Sequence, residues 1–445
     1  MKLDKKMAIE KTGEGLKRVI GVPGLALNIV NGTIGAGIFV LPAAVGMQLG
    51  AFGIFCYLFC SIMLASIMLC YAEIGSRITT SGGSYAYVEA AFGRFPGHIV
   101  NWLYFLGWGV LGNAAVINII ADSLAVVFPV FLHPFVRALL LFAVLAFMVM
   151  LNIRGTKNTI RLLKVVTVLK LVPLFAIIFF GFSNIKPGNL HWEHLPTLKS
   201  FGDTTLVLFF AFAGFETTLN VSGEIKNSKR TIPVSILLGG MLLFVTYTLL
   251  QLVTQGVLGS QMANFKDAPL AAVAEQIVGP AGATILMIAA IISCFGLSCG
   301  DVLATPRLLF AGANSGLFPK FLGTVHPKYA TPHLAVITYA ALIFIFSISG
   351  GFKQLAILAS AAILLIYLAV ILATIKLRMK KQATAEKMFK APGGLITPFI
   401  GIAAIVWLLT GLSKWEILST AIFLVVICII YFVTRQLKKK VPATE

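Results

Sequence analysis

The sequence predicts an all-α polytopic membrane protein with 12 transmembrane helices, built as a 5+5 inverted repeat in which helices 1 and 6 are broken. Two observations predict the membrane class: 58% of the 445 residues are hydrophobic and only 11% are charged, whereas soluble domains carry roughly 25% charged residues. A third observation predicts the broken helices, because clusters of glycine interrupt two apolar spans.

Windows of about 20 apolar residues mark the spans. They lie near residues 20–46, 49–74, 97–121, 124–151, 162–184, 203–222, 232–256, 279–311, 332–349, 354–377, 393–411 and 415–434. This order divides the chain into an N-terminal tail (1–18), a core (19–377), two accessory helices, 11 and 12 (393–434), and a C-terminal tail (435–445). Within the core, the two repeats are expected near 19–184 and 203–377.

The net charge of +19 is explained by topology rather than by a nucleic-acid partner. If both termini are cytoplasmic, 28 of the 35 Lys and Arg residues lie on the cytoplasmic side. Only six lie outside, namely Arg137, Lys186, Lys199, Lys266, Lys353 and Lys414. Because such an asymmetry sets orientation in a membrane, the sequence predicts a multi-pass protein of the plasma or inner membrane that contacts the lipid bilayer and binds no nucleic acid.

The first span contains an unusual run of glycines, Asn31-Gly32-Thr33-Ile34-Gly35-Ala36-Gly37-Ile38-Phe39. Glycine weakens a helix by about 1 kcal/mol relative to alanine, and unwound backbone in a bilayer is tolerated where it is buried in protein or lines a cavity. A second interruption, Phe210-Ala211-Phe212-Ala213-Gly214-Phe215-Glu216, follows five spans later. Since helices five apart run in opposite directions, the two breaks indicate an inverted repeat.

The two breaks present opposite partial charges. Free amides where the first helix restarts, after Gly35-Ala36-Gly37, favour a carboxylate. Free carbonyl groups where the sixth helix ends, near residues 210–213, favour an ammonium group. Together they fit a zwitterionic α-amino acid. The alternative is that the glycines only permit close helix packing, a frequent use of small residues in membranes.

Five short motifs follow one another along the chain. They are Gly35-Ala36-Gly37-Ile38-Phe39 with Leu41-Pro42-Ala43, then Gly82-Gly83-Ser84-Tyr85-Ala86-Tyr87, then Gly214-Phe215-Glu216, then the run from Glu224 to Pro233, then Ser315-Gly316-Leu317-Phe318-Pro319. In this order they resemble the amino acid-polyamine-organocation permeases, which share the leucine-transporter fold. The resemblance covers most of the chain through about span 10, and it is closest to the bacterial arginine/agmatine antiporter and small neutral amino acid exchanger members.

The resemblance implies roles for individual residues. The carboxylate site would comprise Ile34, Gly35, Ala36 and Gly37, and the amine site would use carbonyl groups of Phe210, Ala211 and Ala213. Phe210 takes the place of a tryptophan in the arginine/agmatine antiporter, and cation–π attraction is weaker for Phe than for Trp. Tyr104 and Glu216 match the gating aromatic and the gating acid. Packing is the alternative role for Tyr104, and capping of the restarted helix is a compatible role for Glu216.

Lys170 lies in the middle of span 5 among aliphatic residues, where an ionisable group costs roughly 2.5–3.5 kcal/mol on insertion scales. Related sodium-coupled carriers place a sodium ion between helices 1 and 8 at this level, and several family members carry a lysine instead. The resemblance implies that the Lys170 ammonium is a built-in cation that makes sodium unnecessary. The sequence leaves open whether Lys170 is a permanent strut or a proton-coupling group.

Asp301 lies in span 8, where the arginine/agmatine antiporter has a tryptophan, and this departure weakens any transfer of arginine specificity. The acid could pair with Lys170, bind a basic substrate side chain or take up a coupling proton. A purely structural ion pair is the plain alternative.

These patterns predict a transport core (19–377) that carries amino acids without sodium, as an exchanger or a proton-coupled symporter, by alternating access with helices 1 and 6 moving against helices 3 and 8. The alternative is a cationic amino acid or polyamine antiporter that uses Asp301. A membrane enzyme would need metal- and phosphate-binding clusters in its loops, and His191 and His194 form only an isolated HxxH spacing. No catalytic residue, metal or cofactor is therefore expected, while the substrate, the role of protons and the oligomeric state are left open.

Overall fold

Helices make up most of the computed structural model, which describes residues 20–35, 37–79, 82–154, 156–192, 195–266, 268–314, 318–329, 331–379 and 388–440. The α-helices are α1 (Val22–Thr33), α2 (Gly37–Leu49), α3 (Gly53–Arg77), α4 (Gly83–Phe92), α5 (Arg94–Trp102), α6 (Leu111–Val127), α7 (Pro134–Arg154), α8 (Thr156–Gly181), α9 (Leu198–Phe212), α10 (Ser228–Leu258), α11 (Pro269–Val278), α12 (Pro280–Ala304), α13 (Pro306–Asn314), α14 (His333–Ser349), α15 (Phe352–Met379), α16 (Ile396–Thr410) and α17 (Lys414–Lys440). In these ranges the β-structure is one isolated bridge between Ile20 and Ile225.

Nine helical segments in the described ranges are long and apolar enough to cross a membrane, as expected for a polytopic membrane protein. Three further apolar helices are shorter, namely α11, α14 and α16. Helices α14 and α16 lie in the predicted spans 332–349 and 393–411 but are shorter than the nine segments above. The total of 12 crossings therefore stays a prediction. Helix α17 continues to Lys440, so the start of the predicted C-terminal tail is helical.

Several of the predicted spans are not continuous α-helices. In the first, α1 ends at Thr33 and α2 begins at Gly37, and in the sixth, α9 ends at Phe212 and a 3₁₀ helix follows over Phe215–Glu224. The predicted span 279–311 matches one apolar helical segment, Pro280–Phe310, within which α12 ends at Ala304 and α13 begins at Pro306. Proline lacks the N–H that would continue α12, and it suits the first position of a new helix.

Buried apolar side chains form two clusters that meet at the end of α9. One cluster includes residues of α1, α3, α9 and α10, and the other includes residues of α6, α12, α14 and the first half of α15. Phe209 and Ala211 belong to the first cluster, whereas Phe210 belongs to the second. Because consecutive side chains of α9 face different clusters, the second break lies at the boundary between the two halves of the core.

A buried carboxylate fixes the ends of α3 and α15 to each other. Glu73, on α3, is 0% exposed. Its oxygens accept hydrogen bonds from Arg77 Nη2 at 2.6 Å, from Arg378 Nε at 3.0 Å and from the backbone N–H of Ala391 at 2.9 Å. One side chain thus ties α3 to α15 and to the segment before α16.

Replacing Glu73 by alanine should destabilise the fold, because Arg77 and Arg378 would lose their shared partner. Removing one member of a buried ion pair costs about 3 kcal/mol or more. We expect a clear drop in the thermal midpoint of the detergent-solubilised protein, measured by loss of the monodisperse peak on heating. Glu275→Ala is the control, because Glu275 is exposed on α11. Equal midpoints for the two variants would contradict the prediction.

Candidate functional site

The first break leaves backbone carbonyl groups that are bonded by side chains of other helices. Ile34 is extended, with φ −71° and ψ 94°, so the helical hydrogen bonds stop there. The Lys170 ammonium, on α8, donates to the carbonyl oxygens of Asn31 at 2.9 Å and of Ile34 at 2.5 Å. Ser293, on α12, donates its hydroxyl to the carbonyl oxygen of Gly35 at 3.2 Å. The break is therefore held open by hydrogen bonds from α8 and α12.

Lys170 connects α8 directly to the unwound part of the first span. Its side chain is 0% exposed, and its two hydrogen bonds go to carbonyl groups rather than to a carboxylate. Asp301 instead accepts a hydrogen bond from Asn113 Nδ2 at 2.8 Å. Lys170 and Asp301 thus bond to different groups and do not form an ion pair with each other, while the choice between a strut and a proton-coupling group stays a prediction.

The second break is shaped by a glycine and a buried acid. Ala213 is extended, and Gly214 has φ +121°, a conformation that favours glycine. Glu216 accepts a hydrogen bond from the backbone N–H of Gly214 at 3.1 Å and another from the Tyr367 hydroxyl at 2.5 Å. The expected capping role is thus present, although the restarted segment is a 3₁₀ helix and not an α-helix.

The two breaks touch each other through their backbones. A methyl group on Gly214 would overlap the carbonyl oxygen of Gly32, and one on Gly37 would lie 2.7 Å from the side chain of Ala211. The Tyr247 hydroxyl, on α10, lies 3.2 Å from the carbonyl oxygen of Thr33 and 2.9 Å from that of Ala211. The single hydroxyl proton of Tyr247 is therefore shared between one carbonyl group of each break.

A cavity of about 270 Å³ lies where the breaks meet. Six of the residues predicted to bind substrate line it, namely Gly35, Gly37, Phe210, Ala211, Ala213 and Asp301. Ile34 is not part of the lining, and its carbonyl group is bonded to Lys170. Ala36 lies outside the described residues. Of the residues predicted to gate or couple transport, Asp301 lines the cavity, whereas Tyr104, Glu216 and Lys170 do not.

Aromatic and polar side chains complete the cavity wall. The ring of Phe210 lies 5.7 Å from that of Trp108 and 5.7 Å from that of Phe352. Asn113 Nδ2 donates a hydrogen bond to Asp301 and lies 3.0 Å from the Tyr339 hydroxyl. The amide oxygen of the same side chain, Oδ1, is buried and has no partner among the described residues. The wall therefore joins an aromatic surface to one polar corner.

Tyr104 and Glu216, the predicted gating residues, do not bond to each other. The Tyr104 hydroxyl accepts a hydrogen bond from Asn220 Nδ2 at 3.3 Å, and Glu216 bonds to Tyr367. Tyr104 lies in a π-helical stretch, Leu103–Val110, that also carries Trp108. Such stretches are rare and are frequent at functional sites.

Sequence reasoning missed four residues of this site: Trp108, Asn113, Tyr247 and Tyr367. Asn113 could have been found from the sequence, because it is a polar residue in an apolar span and, like Asp301, is out of place there. The tyrosines gave none, since an aromatic residue in an apolar span is usually a packing residue.

An apolar helical protein in which two interrupted helices meet at a small cavity has the architecture of a membrane transport protein that binds its solute between helix ends. The chain belongs to the amino acid permease family, whose model matches residues 20–444.

Named relatives share nearly the full length of the chain. The serine/threonine exchanger SteT of Bacillus subtilis is 29% identical over 407 residues, 88% of this chain and 89% of the relative. The branched-chain amino acid permease BcaP of Lactococcus lactis is 27% identical, over 94% of both chains. The b(0,+)-type amino acid transporter 1 of Mus musculus is 26% identical, over 94% of this chain and 88% of the relative. The protein is accordingly a transporter and not an enzyme.

Replacing Gly214 by alanine should abolish folding or transport. The backbone at φ +121° strains any other residue, and the added methyl group would overlap the carbonyl oxygen of Gly32. Such backbone strain costs about 1–3 kcal/mol before the overlap is counted. The measurement is the yield of monodisperse protein together with solute uptake. Gly188→Ala is the control, because a methyl group added at Gly188 would have no neighbouring atom within 4 Å, and wild-type behaviour of both variants would refute the prediction.

Proposed function

We propose that this protein carries α-amino acids across the plasma membrane without sodium, as an exchanger or a proton-coupled symporter that works by alternating access. The observation that carries the proposal is the cavity at the two breaks. The first amides of α2 favour a carboxylate there, and the last carbonyl groups of α9 favour an ammonium group. The names of the relatives, which include an amino acid exchanger and amino acid permeases, support this assignment.

The cavity favours a small and neutral side chain. Its volume of about 270 Å³ lies below the ~300–1,000 Å³ of sites that hold drug-sized ligands. Gly112, Gly300, Trp108 and Phe210 contribute small or apolar surface to its wall. Serine, alanine and threonine are therefore the first solutes to test.

Sodium independence is supported by the position of Lys170. Its ammonium already bonds to the carbonyl oxygens of Asn31 and Ile34, and oxygen atoms of this kind are what a sodium ion would need as ligands. A second cation at the same oxygens would meet the positive charge of Lys170 at short range. The lysine therefore replaces the ion in this proposal.

The moving unit is proposed to be α1 together with the 3₁₀ helix Phe215–Glu224. Lys226 N–H donates to the carbonyl oxygen of Ile20 at 2.9 Å, and the Ser235 hydroxyl donates to that of Val22 at 3.1 Å. These bonds tie the start of α1 to the segment that follows the second break. On the other side of the cavity, the contact of Phe210 with Phe352 closes the path. Twelve crossings, a 5+5 repeat and cytoplasmic termini belong to the same proposal.

Counterflow of labelled serine into proteoliposomes tests the transport proposal. We expect counterflow to be unchanged when sodium is replaced by choline, and to be lost in Lys170→Ala because the first break loses two hydrogen bonds. Lys186→Ala is the control, since Lys186 lies outside both the cavity and the breaks. Uptake that requires sodium would refute the role of Lys170. A response to an imposed pH gradient distinguishes proton symport from exchange.

Asp301 favours a second candidate, the transport of cationic amino acids or polyamines. Its carboxylate lines the cavity and bonds to an uncharged partner, Asn113. A carboxylate partly removed from water is costly unless it is paired, and a basic side chain of the solute would supply the missing charge.

Asp301→Asn separates the two candidates, because the amide oxygen preserves the hydrogen bond with Asn113 while the charge is removed. We expect serine counterflow to persist in this variant, as the neutral substrate requires. The cationic candidate instead requires that the wild type carry lysine, arginine or agmatine. It also requires that counterflow of these compounds fall about tenfold or more in Asp301→Asn, which corresponds to a loss of about 1.4 kcal/mol in binding free energy. Competition by each unlabelled compound against labelled serine is the measurement.

A further inference from the structure

A second and larger cavity adjoins the first along α2 and α9. Its volume is about 1220 Å³, and its floor is apolar, with Leu41, Leu206 and Leu208 among the lining residues. Phe352 also lines this cavity and contacts Phe210, which lines the first one. The Phe210–Phe352 contact is therefore the partition between the two cavities.

Lysines surround this second cavity. Its lining includes Lys199, Lys266, Lys353 and Lys414, which are four of the six basic residues that the sequence places outside. All four side chains are exposed, and none forms an ion pair with another described residue. Two acids also line the cavity, Asp203 and Glu416, and Glu416 is engaged in accepting a hydrogen bond from the backbone N–H of Ser413 at 2.7 Å.

Three of these lysines lie where a cation is unfavourable for the helix that carries it. Lys199 is the second residue of α9, Lys353 is the second residue of α15, and Lys414 is the first residue of α17. The N-terminal end of a helix carries partial positive charge and prefers acids. Positive ends of three helices and four ammonium groups thus face one space, and together they favour an anion there.

We propose that the second cavity is a separate, weaker binding site for carboxylate-bearing solutes. The four lysines attract the carboxylate, Asp203 is available for an ammonium group, and the apolar floor accepts the side chain. In an amino acid carrier this site collects solute in front of the Phe210–Phe352 partition. That last step rests on the proposed function, whereas carboxylate binding in the cavity does not.

Tryptophan fluorescence can report binding directly, because Trp407 lies in the lining. The probe is 4-bromobenzoate, a heavy-atom quencher with a carboxylate, and 4-bromobenzamide is its uncharged match. In phosphatidylcholine vesicles we expect saturable quenching by 4-bromobenzoate only, lost in Trp407→Phe. In the triple variant Lys199→Gln, Lys353→Gln, Lys414→Gln, the concentration for half quenching should rise about fivefold or more, and high salt should remove the difference.

Lys186→Gln is the matched control, because Lys186 is predicted on the same side and does not line the cavity. The proposal would be overturned if the wild type and the triple variant were quenched equally. It would also be overturned if Lys186→Gln raised the concentration for half quenching as much as the triple variant does. Loss of quenching on adding phosphatidylglycerol would overturn it as well, since the lysines would then hold lipid phosphate. Because this measurement needs no uptake, it stays decisive even if serine counterflow fails.

A kinetic measurement tests the link to transport. In the triple variant, KM for serine should rise about fivefold when the solute is supplied from the side of this cavity, while the maximal rate and KM from the opposite side stay unchanged. An unchanged KM together with lysine-dependent quenching would overturn the collecting role.

Discussion

Unwound backbone buried in an apolar interior must find hydrogen-bond donors other than water. In this protein the carbonyl groups released by the first break are bonded by an ammonium and two hydroxyl groups, from Lys170, Tyr247 and Ser293, which belong to α8, α10 and α12. Three helices are thereby fixed to the interruption. The interruption in turn places the start of α2 beside the end of α9, and the small cavity exists because these ends cannot close into continuous helices.

The parts of the site that could be predicted from the sequence are those built from residue types that are unusual in a membrane span, namely glycine clusters and charged residues. Glycine clusters indicated both breaks, and Lys170 and Asp301 were identified because a charge inside a span is costly. Tyr247 and Tyr367 could not be found this way, since their roles depend on the direction in which a hydroxyl points. The eighth span was located correctly by its apolar window, whereas the join between α12 and α13 inside it, at Thr305, was not predicted although Pro306 was visible.

The polar side chains of the site fall into two groups, those that bond to the backbone of the breaks and those that line the cavity. Lys170 and Glu216 are wholly buried and bond to backbone groups of the breaks, whereas Asp301 and Asn113 lie in the cavity wall. The sequence could identify these groups as ionisable or polar but could not sort them, because the sorting depends on which helix faces which. The same packing explains why six of the predicted binding residues line the cavity while the predicted gating residues Tyr104 and Glu216 do not.

The contact between Gly32 and Gly214 constrains how such a protein can change what it carries. The closest approach of the two interrupted helices involves no side chain, so substitution can damage it but cannot adjust it. Chemical variety must instead come from the opposite wall, where Trp108, Asn113 and Asp301 extend from helices that do not form the crossing. In the proposed carrier, recognition of the amino acid backbone and recognition of the side chain would therefore be mutationally independent, and a new specificity could arise without changing the crossing of the two breaks.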